Sequence, residues 1–237
     1  MRRAIPRRRL AFALLAAASA AAAAPAGRGD PCAAVDWATA TWDPYYIEDG
    51  IQVWRKDITG CPLIAFRGRG TISEPIGKVL GVILDTRREP EWIEGLKETR
   101  VVRTLSASED YEYARMASGF FMIEDREVVS HNILTFDRRK RRAVVDTSSI
   151  DLPDVPRRKG TVLARIEHSA MIIAPEDGGR ETSFTMEALF DPRGRVPKWM
   201  VNLFQKKFPV QTIRRIRAQA RRADVVEYPG TPGLIGL

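Results

Sequence analysis

The sequence predicts an α+β fold: a curved antiparallel sheet folded against one long C-terminal helix. Two observations carry the prediction and a third bounds it. Between residues 98 and 190, segments rich in β-branched and aromatic residues succeed one another across short, turn-forming links. Links this short favour an antiparallel meander, because a parallel pair needs a crossover of a dozen residues or more. From Val196 to Arg222, Met200, Val201, Phe204, Phe208, Ile213 and Ile216 recur at helical spacing against Lys206, Lys207, Arg214, Arg215, Arg217 and Arg221. The chain that follows an N-terminal export segment is long enough for one substantial core and too short for two comfortable domains.

Residues 1–26 have the layout of a secretory signal peptide: a basic run to Arg9, an apolar run from Leu10 to Ala24, and small residues for cleavage at 22–26. The alternative, a membrane anchor, calls for ~20 apolar residues where this run is shorter and mostly Ala. We therefore expect a mature chain that starts near Gly27 and is periplasmic or extracellular, with one domain over 27–222 and a tail over 223–237. The export segment holds five of the 38 basic residues and no acidic one, so net charge falls from +8 to +3 without it. Nucleic-acid binding loses its main support. The remaining basic clusters, at 138–142, 157–159, 206–207, 214–215 and 221–222, read either as a solvated face or as attraction to anionic lipid headgroups. The two cysteines, Cys32 and Cys61, allow one intramolecular pairing, which an exported chain favours.

Pro31 to Trp42 reads as a short helix. Residues 51–57 and 63–69 read as a hairpin across 58–62. Ser73 is a plausible N-cap, with Pro75 in the first turn and Ile76, Val79, Leu80 and Ile83 on one apolar face. Strands follow at 98–105, 110–118, 125–136, 142–150, 161–174 and 181–190. Pro209 interrupts the last helix and should kink or loosen it. A long helix against a highly curved sheet can pack as ordinary core or leave a tunnel.

The order of these elements, with Asp85, Glu91-Trp92, Glu98, the strand opening Glu124 to Val129 and the run from Asp191 to Asn202, resembles the START (steroidogenic acute regulatory protein-related lipid transfer) domain over roughly residues 36–222. The resemblance implies the helix-grip fold, with an internal apolar tunnel between sheet and C-terminal helix that holds one sterol, phospholipid or ceramide. It implies no cofactor, no catalysis, a monomer, and transient contact with a membrane surface. The sterol-binding branch places an acid on one central strand and an arginine on the next. Ungapped counting from Arg126 puts Tyr113 and Asn132 at those positions, a neutral pair that can still exchange hydrogen bonds with a hydroxyl or carbonyl. Arg115, two residues from Tyr113 on the same strand face, could supply a cation. Arg115 and Arg126 read alternatively as partners of nearby acids. Met186, Phe204, Phe208 and Thr212 complete the expected lipid-binding set, and each reads alternatively as plain core.

The inventory of chemistry-bearing residues is thin. His131 and His168 both fall inside expected strands, no Cys/His set has zinc spacing, and no Gly-x-Ser-x-Gly elbow occurs. Gly68, Gly70 and Gly77 lack the companions of a phosphate-binding loop. Non-enzymatic lipid binding or transfer leads. A helix-grip enzyme acting on an apolar small molecule and a ligand-sensing module are the alternatives.

Overall fold

The computed structural model describes residues 31–33, 35–118 and 123–231, so the expected export segment lies outside the described residues. The strands are β1 (Asp43–Glu48), β2 (Ile51–Asp57), β3 (Ile64–Ile72), β4 (Leu96–Ser106), β5 (Glu109–Met116), β6 (Asp125–Asp137), β7 (Arg142–Ser149), β8 (Thr161–Leu163), β9 (Arg165–Glu176) and β10 (Glu181–Asp191). The helices are α1 (Ile76–Ile83) and α2 (Lys198–Ala220), and a 3-10 turn covers Thr86–Glu91. They form one sheet in the order β1-β2-β3-β10-β9-β7-β6-β5-β4, with the short β8 alongside β6 in parallel. The expected meander is present, and its last strand, β10, closes onto β3 of the first hairpin.

Register fixes which side chains face the helix. Val53, Gly68, Met186, Met171, Val145 and Leu134 lie in one row across the sheet. Paired residues of an antiparallel ladder share a face. Most of this row joins the main core with Val210, Ile213 and Ile216 of α2 and Val79 and Leu80 of α1. Gly68 lets the helix come this close: a Cβ there would lie 2.5 Å from the Pro209 Cβ. The glycine that lacked companions for phosphate binding is thus a packing residue. Helix α2 continues through Pro209 to Ala220, which is buried with it.

Two polar side chains on α2, the half-buried Asn202 and the buried Gln205, have a specific task. The β3–β10 ladder ends at the pair Phe66 and Ala188, leaving backbone groups of both strands unpaired beyond it. Asn202 Oδ1 accepts from the Ile64 N–H at 3.0 Å, and Gln205 Oε1 accepts from the Phe190 N–H at 2.9 Å. An unpaired buried amide would cost about 1–3 kcal/mol, so these two side chains replace the missing ladder.

Four expectations are corrected. The described residues among 31–42 form turns and extended chain rather than a helix. This segment lies across the outer face, tied by the Cys32–Cys61 disulfide. Trp37 stacks on His168 at 4.1 Å, and Trp42 receives the Arg67 guanidinium at 4.5 Å. Such side-chain contacts hold the segment without helical hydrogen bonds. A strand, β1, precedes the expected hairpin. Its turn, Asp49-Gly50, has φ of +52° and +68°, the left-handed pair that a two-residue hairpin requires. Helix α1 is preceded by Pro75, with Ser73 instead bonded to Glu181 at 3.1 Å. The segment 161–174 is split into β8 and β9. Beyond α2 the chain packs back on the fold. Val225 is buried in the main core, and the Tyr228 N–H donates to the Gly77 carbonyl.

Candidate functional site: the helix-facing surface of the sheet

Helix α2 packs mainly on β2, β3, β10 and α1. The helix-facing surface of β5, β6, β7 and β9 therefore extends beyond it, and its chemistry changes along the strands. The Leu134 row and the one beside it (Ile51, Gly70, Phe184, Ile173, Ala143, Phe136) are apolar. The next row toward β5 carries Asp110, Asn132, Thr147 and Ser169, and the one after it Glu112, Ser130 and Ser149. Beyond these, Ala114 pairs with Val128 and returns the surface to apolar character. A polar band thus crosses the sheet between apolar rows.

Within the band the hydrogen bonds form a chain. Thr147 donates to Asn132 Oδ1 at 2.9 Å, and Asn132 Nδ2 donates to Asp110 Oδ1 at 3.1 Å. Glu112, buried beside Asp110, contacts Thr99 at 2.9 Å, and Thr99 also reaches Glu89 of the 3-10 turn at 3.1 Å. One hydroxyl proton cannot serve two carboxylates. Burial, then the neighbouring Glu112, pushes the Glu89 carboxyl up to about 9, and burial likewise raises Glu112. At neutral pH the pair therefore holds a proton, and a protonated carboxyl can donate to an oxygen of a bound molecule.

The expected site residues divide between the two faces. Asn132 lies in the polar band and Met186 in the apolar row, both toward the helix. Phe208 is partly buried against the main core, and Thr212 is buried. Phe204 is 53% exposed, which corrects its place among enclosed wall residues. Tyr113 is corrected too: it pairs with Val129 on the opposite face, packs against Val155, and donates to Glu127 at 2.8 Å. Burial, then that hydrogen bond, raises its phenol above the ordinary value. Tyr113 and Asn132 cannot act as a pair across the sheet. Arg115 shares the outer face and binds Asp125 at 2.9 Å and Glu98 at 3.6 Å, so it supplies no cation to the helix side. Arg126 is buried and donates to the carbonyls of Glu124, Pro192 and Arg193. Its guanidinium braces the turn that leads into α2.

Counting missed Glu112, one residue from Tyr113. The available signal was the alternation of the strand: with Asn132 facing inward opposite Asp110, the inward acids are Asp110 and Glu112. The histidines are bound on the outer face, His131 to Glu109 at 2.7 Å and His168 to Glu187 at 2.8 Å. Among the described residues no group of three His, Cys, Asp or Glu could hold a metal ion, and no helix is long and apolar enough to cross a membrane.

Comparison with known proteins agrees with this architecture. An uncharacterized protein of Pseudomonas aeruginosa is 23% identical over 175 residues, covering 74% of this chain and 84% of its own. A STAR-related lipid transfer protein fragment from Xanthomonas axonopodis superposes with a TM-score of 0.68 at 21% identity, covering 76% of this chain and 99% of the other. Human StAR-related lipid transfer protein 5 gives a TM-score of 0.69 at 15% identity, covering 77% and 88%. At these identities the superpositions speak for the fold. The family model of the START domain matches residues 35–224, most of the length of the protein, and the chain belongs to the START domain family.

Proposed function

We propose that this protein binds a single lipid, without catalysis, in a tunnel between the helix-facing surface of the sheet and α2, and that it does so after export as a monomer. The observation that carries the reading is the polar band between apolar rows: Asp110, Glu112, Asn132 and Thr147 lie on a surface otherwise built of residues such as Leu134, Met171 and Val128. A mostly apolar site with a few placed polar groups is the usual recognition surface for an amphipathic small molecule. Membership of a family whose relatives include lipid transfer proteins supports the same reading. The carboxyl pair Glu89 and Glu112 suits a ligand hydroxyl or carbonyl, which accepts from the shared proton.

Native mass spectrometry of the protein, followed by lipid extraction, tests the proposal. One apolar molecule per chain is expected. Phe208→Trp should crowd the tunnel and weaken uptake of a fluorescent sterol or phospholipid while leaving unfolding cooperative. If Phe208 serves only the core, the same change destabilises by about 1–3 kcal/mol through overpacking and leaves affinity unchanged. Failure to take up any lipid would favour the enzymatic alternative.

A further inference from the structure

Gln205 of α2 uses only half of its side-chain amide. It stands four residues from both Val201 and Pro209, so it shares their buried side of the helix, and it is 7% exposed. Its Oε1 accepts from the Phe190 N–H at 2.9 Å. A backbone N–H can only donate, so the other end of the amide is fixed as the NH2 group. Among the described residues that Nε2 is buried and has no hydrogen-bond partner. Buried donors are almost always paired, so one left over calls for an explanation. Its position supplies one. Phe190 pairs with Ile166 on β9, the Ile166 N–H donates to Ser149 Oγ at 2.8 Å, Ser149 pairs with Ser130, and Ser130 pairs with Glu112. The spare NH2 therefore lies at the helix end of a polar row whose far end is the carboxyl pair Glu112 and Glu89. Both ends offer protons: the amide always, the carboxyl pair through the proton it holds at neutral pH. The polar band carries the acids Asp110 and Glu112 and no cation, so an anionic group buried there would go unpaired. The group that fits is an uncharged acceptor.

We infer that Gln205 is a specificity-determining residue whose side-chain NH2 donates to an acyl ester carbonyl of an uncharged lipid lying along the polar band. This role rests on the interior lipid binding proposed above and adds to it the polar chemistry of the ligand. A carbonyl oxygen accepts and never donates, which matches the spare amide proton. An ether lipid of the same shape offers no carbonyl and leaves the buried donor orphaned, at a cost in affinity. The Oε1 of the same side chain, held by the Phe190 amide, fixes the direction in which the NH2 is presented.

Dioleoylglycerol and its dioleyl ether analogue differ only in their ester carbonyls, and both keep the free hydroxyl. Competition of each against a fluorescent lipid for the purified protein is the test. Wild type should prefer the ester by at least about fivefold. Infrared spectra of the ester, isotopically labelled at its carbonyls, should show the bound stretch at lower frequency than in a hydrocarbon solvent. Gln205→Met keeps the length of the side chain but neither accepts from Phe190 nor donates. Its unfolding midpoint should fall, and its ester preference should be at least about fivefold smaller than that of wild type. Asn202→Leu removes the corresponding bond to the Ile64 amide and should also lower the midpoint, yet keep the wild-type ester preference, which separates a role toward ligand from a role in the fold alone. If Gln205→Met does not fold, the infrared shift of the wild-type complex decides. Equal affinity of wild type for ester and ether, an unshifted stretch, or an unchanged preference in Gln205→Met would overturn the role of Gln205 and leave interior binding standing. So would uptake of neither glyceride by a protein that takes up other lipids, whereas uptake of no lipid at all would refute interior binding itself.

Discussion

The carboxyl pair Glu89 and Glu112 imposes a pH dependence on folding whose sign and size follow from the structure. The Glu89 carboxyl rises from an ordinary 4.5 to about 9, first through burial and then through Glu112. Between those values the unfolded chain releases the proton and the folded chain keeps it. Stability is therefore fully present below about pH 4.5, falls as pH rises, and levels off near pH 9. Each unit of separation is worth about 1.4 kcal/mol, so the penalty near pH 7 reaches about 3 kcal/mol at most. Glu89→Gln keeps the size and the hydrogen bonds but removes the ionisation. Urea unfolding across pH 5 to 8 should show wild type losing stability and the variant nearly flat. The variant should be the more stable form at pH 8, by up to about 5 kcal/mol, and within about 1 kcal/mol of wild type at pH 5. Glu112→Gln should flatten the same slope, because the proton is shared. A variant that keeps the wild-type slope, or is destabilised at pH 8, would refute the reasoning.

Two further outcomes are expected. Gly68→Ala forces a Cβ to within 2.5 Å of the Pro209 Cβ, so α2 must shift, and the urea midpoint should fall by the equivalent of about 1–3 kcal/mol. Thiol labelling of denatured, non-reduced protein should find no free cysteine, and Cys32→Ser with Cys61→Ser should cost on the order of 3–4 kcal/mol of unfolding free energy, since the bridge closes a sequence separation of 29 residues.

The meander was legible because alternation and turn residues act locally. Strand limits such as Asp125–Asp137 against an expected 125–136 differ only at their frayed ends. The Asp49-Gly50 turn is an equally local signal, and it pairs β1 with β2. The face of Tyr113 was not local. It depends on which residues of β5 and β6 pair, Tyr113 with Val129 and Asp110 with Asn132, and counting from Arg126 does not reveal that pairing. A slip of one residue turns every side chain to the other face, so Glu112 and Tyr113 exchanged roles. Gln205 and Thr212 defeat a hydrophobic pattern for another reason. Gln205 is buried because a strand amide lacks a partner there, and that need arises only once β3 and β10 have separated.

The bonds between α2 and the sheet have a mechanical consequence. Along its length the helix is fastened to main-chain atoms: Asn202 to Ile64 and Pro62, Gln205 to Phe190, and Arg217 to Thr71 and Asp49. The Tyr46 hydroxyl holds the Lys206 carbonyl at 2.7 Å, and Gln219 holds the Glu91 carboxylate. Swinging the helix outward would strip several of these at once; the Asn202–Pro62 and Arg217–Asp49 bonds are exposed and water can replace them, whereas the Phe190 amide beside the buried Gln205 would lose its partner. A latch at both ends makes α2 a wall of the molecule rather than its door.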